Sequence, residues 1–261
     1  MTSFLLRTVF GFLYAGLWLG TLWLNSNFYS IFLIGVSLVV TREFLNLQGT
    51  SSLWKVVLVC GLTYGLFQTQ VPLIIWAFGA ILIQLWLAYH MVVLKKLQAK
   101  SLSTMAIACF HICAPIFLLL YDGTEDNVFN QELITGVLLL VWTTDSVAFG
   151  FGSWLGKRPL CAAVSPNKTV EGAIAAICIT LLMGYGMGQY SNVIPINSWL
   201  LLGLLVSVLS IIGDLAQSHI KRLANVKDSG NLMPGHGGLY DRMDSLIFVV
   251  PFLYIMLYYI T

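Results

Sequence analysis

The chain has 261 residues, of which 58% are hydrophobic and 9% charged, with a mean hydropathy of +0.86 and a formal net charge of +2. A soluble domain carries about a quarter charged residues, so this composition cannot cover a water-facing surface; it suits one all-α bundle of membrane-spanning helices in a lipid bilayer. The absence of a long basic stripe or a recognition motif argues against nucleic acid as a partner, and Cys60, Cys109, Cys113, Cys161 and Cys178 lack both CxxC pairs and zinc spacing.

In chain order, apolar stretches place spanning helices at roughly 8–24, 28–45, 54–69, 72–94 and 102–120, and then at 133–152, 172–189, 196–215 and 244–260. The expected fold is therefore a polytopic integral membrane protein with about nine transmembrane helices. About five belong to an N-terminal part, 1–130, and the remainder to a C-terminal catalytic part, 131–261. Arg7 ahead of the first run, with further apolar runs after it, makes that run a spanning helix rather than a cleaved signal. The GxxxG spacings at Gly16–Gly20, Gly61–Gly65 and Gly184–Gly188 read as helix-packing sites. Arg7 precedes the first stretch, and the other 12 Lys and Arg residues fall in the connections after the second, fourth, sixth and eighth or, for Arg42 and Lys55, within the ends of the stretches that border the first of these. The positive-inside rule then puts the N-terminus in the cytoplasm and, with nine crossings, the C-terminus outside. The absence of a long polar N-terminal region favours a bacterial inner membrane. Asp122, Glu125, Asp126 and Glu132 read as a solvated outer loop, and His90 and His111 as interior histidines.

Of the other acids, Glu43 stands apart in the second stretch, whereas Asp145, Glu171, Asp214, Asp228, Asp241 and Asp244 gather in the second half. Asp145 lies in a polar island, Thr143-Thr144-Asp145-Ser146, inside an apolar helix, where an acid marks a functional site by default. Downstream, Ser165-Pro166-Asn167-Lys168-Thr169-Val170-Glu171-Gly172 forms a tight polar connection in which Lys168 offers a charge to a phosphate. No GxxxxGK[ST] loop is present, which excludes a P-loop nucleotidase. Asp214, Ser218, Lys221 and Arg222 share one helix face. After Lys227-Asp228 comes a turn containing Gly235, His236, Gly237 and Gly238, whose backbone can approach an anion, and then Asp241-Arg242-Met243-Asp244. Such a gathering of charge beside apolar spans is costly unless an ion or phosphates complete it. Carboxylate oxygens suit Mg²⁺ arriving with substrate phosphates. The chemistry expected is phosphoryl or nucleotidyl transfer at the cytoplasmic face.

The run Ser218-x-Ile220-Lys221-Arg222, Lys227-Asp228, Gly230, Pro234-x-His236-Gly237-Gly238-Leu239-x-Asp241-Arg242-Met243-Asp244 resembles the signature of the phosphatidate cytidylyltransferase family. Upstream, Asp145, Ala148, Gly152, Gly156 and Ser165-Pro-x-Lys168-Thr169-x-Glu171-Gly172 also resemble it, with Phe149 where a Tyr is usual, Ser153 where a base is common and Met233 where Leu, Ile or Phe is usual. The resemblance is strong from about 142 to 250. It implies a helical membrane fold, a homodimer, CTP and phosphatidic acid as substrates, Mg²⁺ dependence, and CDP-diacylglycerol and pyrophosphate as products. It also implies Asp214 and Asp241 around the metals. A second metal or a monovalent cation is a further option.

On these grounds Asp214, Asp241, Lys221 and Asp145 are the expected catalytic residues, and Asp214, Asp241 and Asp244 the expected metal ligands. Lys168, Lys221, Arg222 and Lys227 are expected to divide between the triphosphate and the lipid headgroup. Ser165, Thr169, Glu171, Ser218, Asp228, Gly237, Gly238 and Arg242 are the remaining expected substrate contacts, Arg242 alternatively orienting a carboxylate and His236 either donating to a phosphate or shaping its loop. Two rival readings are a CTP-dependent polyprenol or phytol kinase and a membrane transporter; the transporter is disfavoured because the halves carry no internal repeat.

Overall fold

The computed structural model describes residues 3–50, 52–69, 71–91, 101–120, 130–235 and 237–260, without the side chains of 3–7 and 101–102. Three-residue and five-residue strands apart, the regular structure among the described residues is helical: α1 (Ser3–Leu24), α2 (Ser26–Leu47), α3 (Leu53–Phe67), α4 (Leu73–Tyr89), α5 (Ser101–Ala108), a π-helical segment Cys109–Cys113, α6 (Ala114–Leu118), α7 (Gln131–Leu155), α8 (Val170–Tyr190), α9 (Ile196–Leu223) and α10 (Tyr240–Tyr258). Three helix starts follow capping chemistry: Asn25, Asn130 and Thr169 each accept a hydrogen bond from an amide in the first turn that follows. Between α7 and α8 lies a hairpin of β1 (Pro159–Cys161) and β2 (Ser165–Thr169), antiparallel, with Pro159 opposite Thr169 and Cys161 opposite Ser165.

The expectation of nine spanning helices does not hold. Among the described residues four helices are long and apolar enough to cross a bilayer: α2, α7, α8 and α9. Two others, Leu53–Phe67 and Leu73–Tyr89, have only 15 and 17 residues. At 1.5 Å per residue the 15 residues of α3 reach about 22 Å, short of the roughly 30 Å of hydrocarbon. The stretch 101–118 is interrupted by the π-helical segment and by Pro115, and α10 spends its first turns on Asp241, Arg242 and Asp244. Hydropathy registers apolar residues; it does not register where a helix breaks. The four long helices still make this a membrane protein.

α7, α8 and α9 pack into one tight unit, with α10 against α9 and α4 against α10, while α1, α2 and α3 adjoin one another in sequence order. In lipid the driving force between helices is close packing, which favours small residues at the crossing. A Cβ on Gly172 of α8 would lie 2.6 Å from the Ala148 carbonyl oxygen and 2.9 Å from the Gly152 Cα, both on α7. On α9, Gly213 approaches α10 in the same manner: its Cβ would meet Asp244 O at 3.0 Å. The signature positions 148, 152 and 172 thus bring backbones together next to the polar residues. Of the three GxxxG spacings, Gly184 and Gly188 meet Trp199 and Ile196, whereas Gly16, Gly20, Gly61 and Gly65 have nothing within 4 Å.

Candidate active site

The close crossings of α7, α8, α9 and α10 gather acids from separate parts of the sequence. Asp145, Asp241, Arg242 and Asp244 line one cavity of about 230 Å³, closed on another side by Gly11, Tyr14 and Ala15 of α1 and by Trp142. The charges of Asp145, Asp214 and Asp244 act on one another, and Lys168 acts on both Asp145 and Asp244. Lys168 forms an ion pair with Asp214 across the hairpin-to-α9 gap. Ser218, one turn beyond Asp214, sits with its Oγ 3.5 Å from Asp214 Oδ1. Ser245 Oγ donates to Asp145 Oδ1 at 3.1 Å, tying α10 to α7. One residue earlier on α7, Thr144 Oγ1 meets Thr180 Oγ1 of α8 at 2.9 Å.

Asp241 has a different environment. Its Oδ1 accepts from Lys221 Nζ at 2.6 Å, and its Oδ2 from the amides of Ser229 (2.7 Å) and Gly238 (2.9 Å) and from Ser229 Oγ (3.0 Å). Burial works to raise this carboxyl, but the Lys221 ammonium and the two amides outweigh it and hold Asp241 below the usual carboxylate range. The Gly238 amide, expected to face a phosphate, is thereby used inside the loop. Gly237 adopts φ +84°, and its carbonyl accepts from Met233 N at 2.9 Å, which closes the turn. His236 lies outside the described residues, as do the acids expected at 122, 125 and 126.

The stripe on α9 fans out at its end. Lys221 goes to Asp241; Arg222 turns its guanidinium to the carbonyls of Val164 (3.5 Å) and Val226 (3.3 Å), joining the hairpin to the loop after α9. Glu171 accepts from the amides of Lys157 (3.0 Å) and Arg158 (3.2 Å) and from Arg158 Nε (3.1 Å), so it fixes the entry to the hairpin. Thr169 caps α8 through Gly172 N. Ser165 is half-buried in β2, and Lys227 and Asp228 are exposed.

Glu43 was given no role by sequence reasoning. It reaches from α2 to the loop before α10, where its carboxylate accepts from Ser229 Oγ (2.8 Å), Leu239 N (3.1 Å) and Tyr240 N (2.8 Å). The available signal was the one that singled out Asp145: an acid in an otherwise apolar helix.

Among the described residues no three His, Cys, Asp or Glu side chains form a ready metal cage. Mg²⁺ does not require one, since it retains waters and takes one or two carboxylates plus substrate phosphates. Asp214 and Asp244, with Asp145 beside them and a lysine ammonium already drawn to Asp214, are a donor set of that kind. Asp241, with both oxygens engaged, fits less well.

Residues 5–260 match the family model described as the cytidylyltransferase family. A curated protein of Bacillus subtilis (strain 168), a phosphatidate cytidylyltransferase, is 48% identical over 120 residues, which are 46% of this chain and 45% of that protein. The phosphatidate cytidylyltransferase of Staphylococcus aureus (strain COL) is 40% identical over 143 residues, 54% of each chain. That of Staphylococcus epidermidis (strain ATCC 12228 / FDA PCI 1200) is 39% identical over the same length and share. The matched region spans about half the length of these relatives.

Proposed function

The chain belongs to the cytidylyltransferase family, and from that premise we propose that it converts CTP and phosphatidic acid into CDP-diacylglycerol and pyrophosphate. The observation that carries this reading is the meeting of Asp145, Asp214 and Asp244 with Lys168, beside a cavity that Arg242 also lines. Lys168 just ahead of α8 and Arg242 in the first turn of α10 hold positive charge where a lipid phosphate and a water-soluble triphosphate can both arrive. The names of the relatives support the choice of lipid and nucleotide.

An oxygen of the lipid phosphate attacks the α-phosphorus of CTP; the new P–O bond forms as the bond to pyrophosphate breaks. A phosphate monoester needs little activation, so positioning and neutralisation of charge account for most of the rate. Lys168 leaves Asp214 to meet substrate phosphate, and Arg242 in the cavity wall offers a second cation. Lys221, engaged by Asp241, sets the loop that faces them. Mg²⁺, held by Asp214 and Asp244 with Asp145 nearby, would neutralise phosphate oxygens. We place the site at the cytoplasmic face of a bacterial inner membrane, where CTP is available, with the N-terminus on the same side. We also take the protein to be a homodimer.

Purified protein given CTP labelled at the α-phosphorus, phosphatidic acid and Mg²⁺ should transfer the labelled CMP unit to lipid and release pyrophosphate in equal amount. No transfer to phosphatidic acid, with labelled CDP and a phosphorylated alcohol formed when a polyprenol or phytol is supplied instead, would assign the chain to the lipid-kinase reading. Mass measurement in detergent tests the dimer.

A further inference from the structure

We infer that Glu43 is a positioning residue for cytidylyl transfer, through which α2 sets the loop 229–240 and thereby Asp241. The inference rests on the reading above for its kinetic part. Glu43 is buried, and its carboxylate receives three hydrogen bonds from that loop, two of them from the consecutive amides of Leu239 and Tyr240. Those amides begin α10, where the first turn has no intrahelical acceptors, and the residue before the helix, Leu239, supplies no side-chain cap. A carboxylate at a helix N-terminus supplies both the missing acceptors and favourable charge. Here the cap comes from another helix, 197 residues earlier in the sequence.

The fit around Glu43 is tight on the loop side as well. A Cβ on Gly230 would stand 2.6 Å from Glu43 Oε1, and one on Gly238 would collide with Ser229 Oγ and Glu43 Oε2. Ser229 Oγ lies within hydrogen-bond distance of both Glu43 Oε2 (2.8 Å) and Asp241 Oδ2 (3.0 Å), so one hydroxyl bridges the two carboxylates. Tyr240, between them in sequence, is fully buried. Its hydroxyl meets His111 Nε2 at 3.0 Å, its carbonyl accepts from Gln217 Nε2 at 2.5 Å, and its ring packs edge-on to Phe44. The grip on Tyr240 comes from α2, the π-helical segment and α9 together. The residue it fixes is the one immediately before Asp241, so the segment ahead of α7 is part of the machinery and does more than anchor it.

The test compares Glu43→Ala and Glu43→Gln with wild type in detergent, by hydrogen exchange of the 228–241 segment and by steady-state kinetics with CTP and phosphatidic acid. Glu43→Ala should speed exchange at Leu239 and Tyr240 at least 10-fold with α9 unchanged, and lower kcat about 10- to 100-fold, the range for a displaced catalytic geometry, while KM for CTP moves less than 3-fold. Glu43→Gln, which keeps one acceptor oxygen, should recover at least half of the lost activity on a logarithmic scale, and it carries the test if the alanine variant does not fold. Exchange unchanged in the loop, or raised equally throughout α2, α9 and α10, overturns the inference; so does kcat within 2-fold of wild type. If wild type itself forms no CDP-lipid, the enzyme reading fails while the exchange result still decides the clamp.

Discussion

The two parts of the molecule are held together by different means. From α7 onward, helices meet backbone to backbone at Gly172, Gly184, Gly203 and Gly213, where an added Cβ would fall within 3.0 Å of a neighbour. Ahead of α7 the glycines at 16, 20, 35, 61 and 65 have open space around them, and contact is made by aromatic side chains: Trp18 on Phe32 at 5.1 Å, Phe67 on Trp76 at 4.8 Å, Tyr64 on Phe117 at 5.5 Å. Backbone contact fixes relative helix position with little tolerance, which suits a site whose acids come from three helices. Aromatic contact tolerates more variation, which suits a support that must only present Glu43 and Phe44.

The largest effect expected from breaking this contrast is at the acids. Asp214→Asn should lower turnover about 10²- to 10³-fold, the scale for losing one electrostatic stabiliser, with the fold retained and a smaller drop in melting temperature than Asp241→Ala, since the Lys168 pair is more exposed than the Lys221 pair; near-normal pyrophosphate release would remove Asp214 from the site. Asp241→Ala should differ in kind. It leaves Lys221 buried without its counter-charge, at a cost of about 3–5 kcal/mol, so the melting temperature should fall along with activity. Adding Lys221→Met should restore much of the stability and none of the turnover. A destabilisation that adds independently in the double variant would mean the two do not act as a pair. The pH signature follows from the depressed Asp241 value. Its contribution to stability is complete above the unfolded value of about 3.9 and is lost as the pH falls through the lower folded value. Wild type should therefore lose an acid-dependent component of stability that Asp241→Ala lacks.

These residues also mark how far sequence could go. The α9 stripe was legible because helical periodicity alone aligns Asp214 and Ser218, and an acid at 145 in an apolar helix announces itself. The ends of the stripe were not, because Lys221 and Arg222 bend to targets in the loop and the hairpin that periodicity does not encode. Asp241 was legible as important, but its partners decide whether its oxygens are open to a ligand, and those partners lie 12 and 20 residues away. The clamp by Glu43 joins residues 186 to 197 positions apart, beyond any local pattern. The count of nine spans failed where apolar composition continues through helices of 15 and 17 residues and through a π-helical interruption.

Smaller effects test the packing contrast itself. Gly172→Ala should cost about 1–3 kcal/mol by overpacking against α7, read as a lower melting temperature in detergent with reduced activity. Gly61→Ala, in open surroundings on α3, should change stability by less than about 0.5 kcal/mol or raise it slightly. Equal penalties at the two sites would mean that both parts pack alike.

The ion pair between Lys168 and Asp214 also bears on how the protein is made. Lys168 sits just before α8 and Asp214 near the end of α9, and α8 and α9 are both long enough to cross the bilayer. An outward and a returning crossing bring the two charges to the same side, and only then do they neutralise each other. A chain in which either helix has failed to insert is left with a separated lysine and aspartate at the membrane, each carrying its own desolvation cost. The pair can therefore form only in a chain that has threaded both helices.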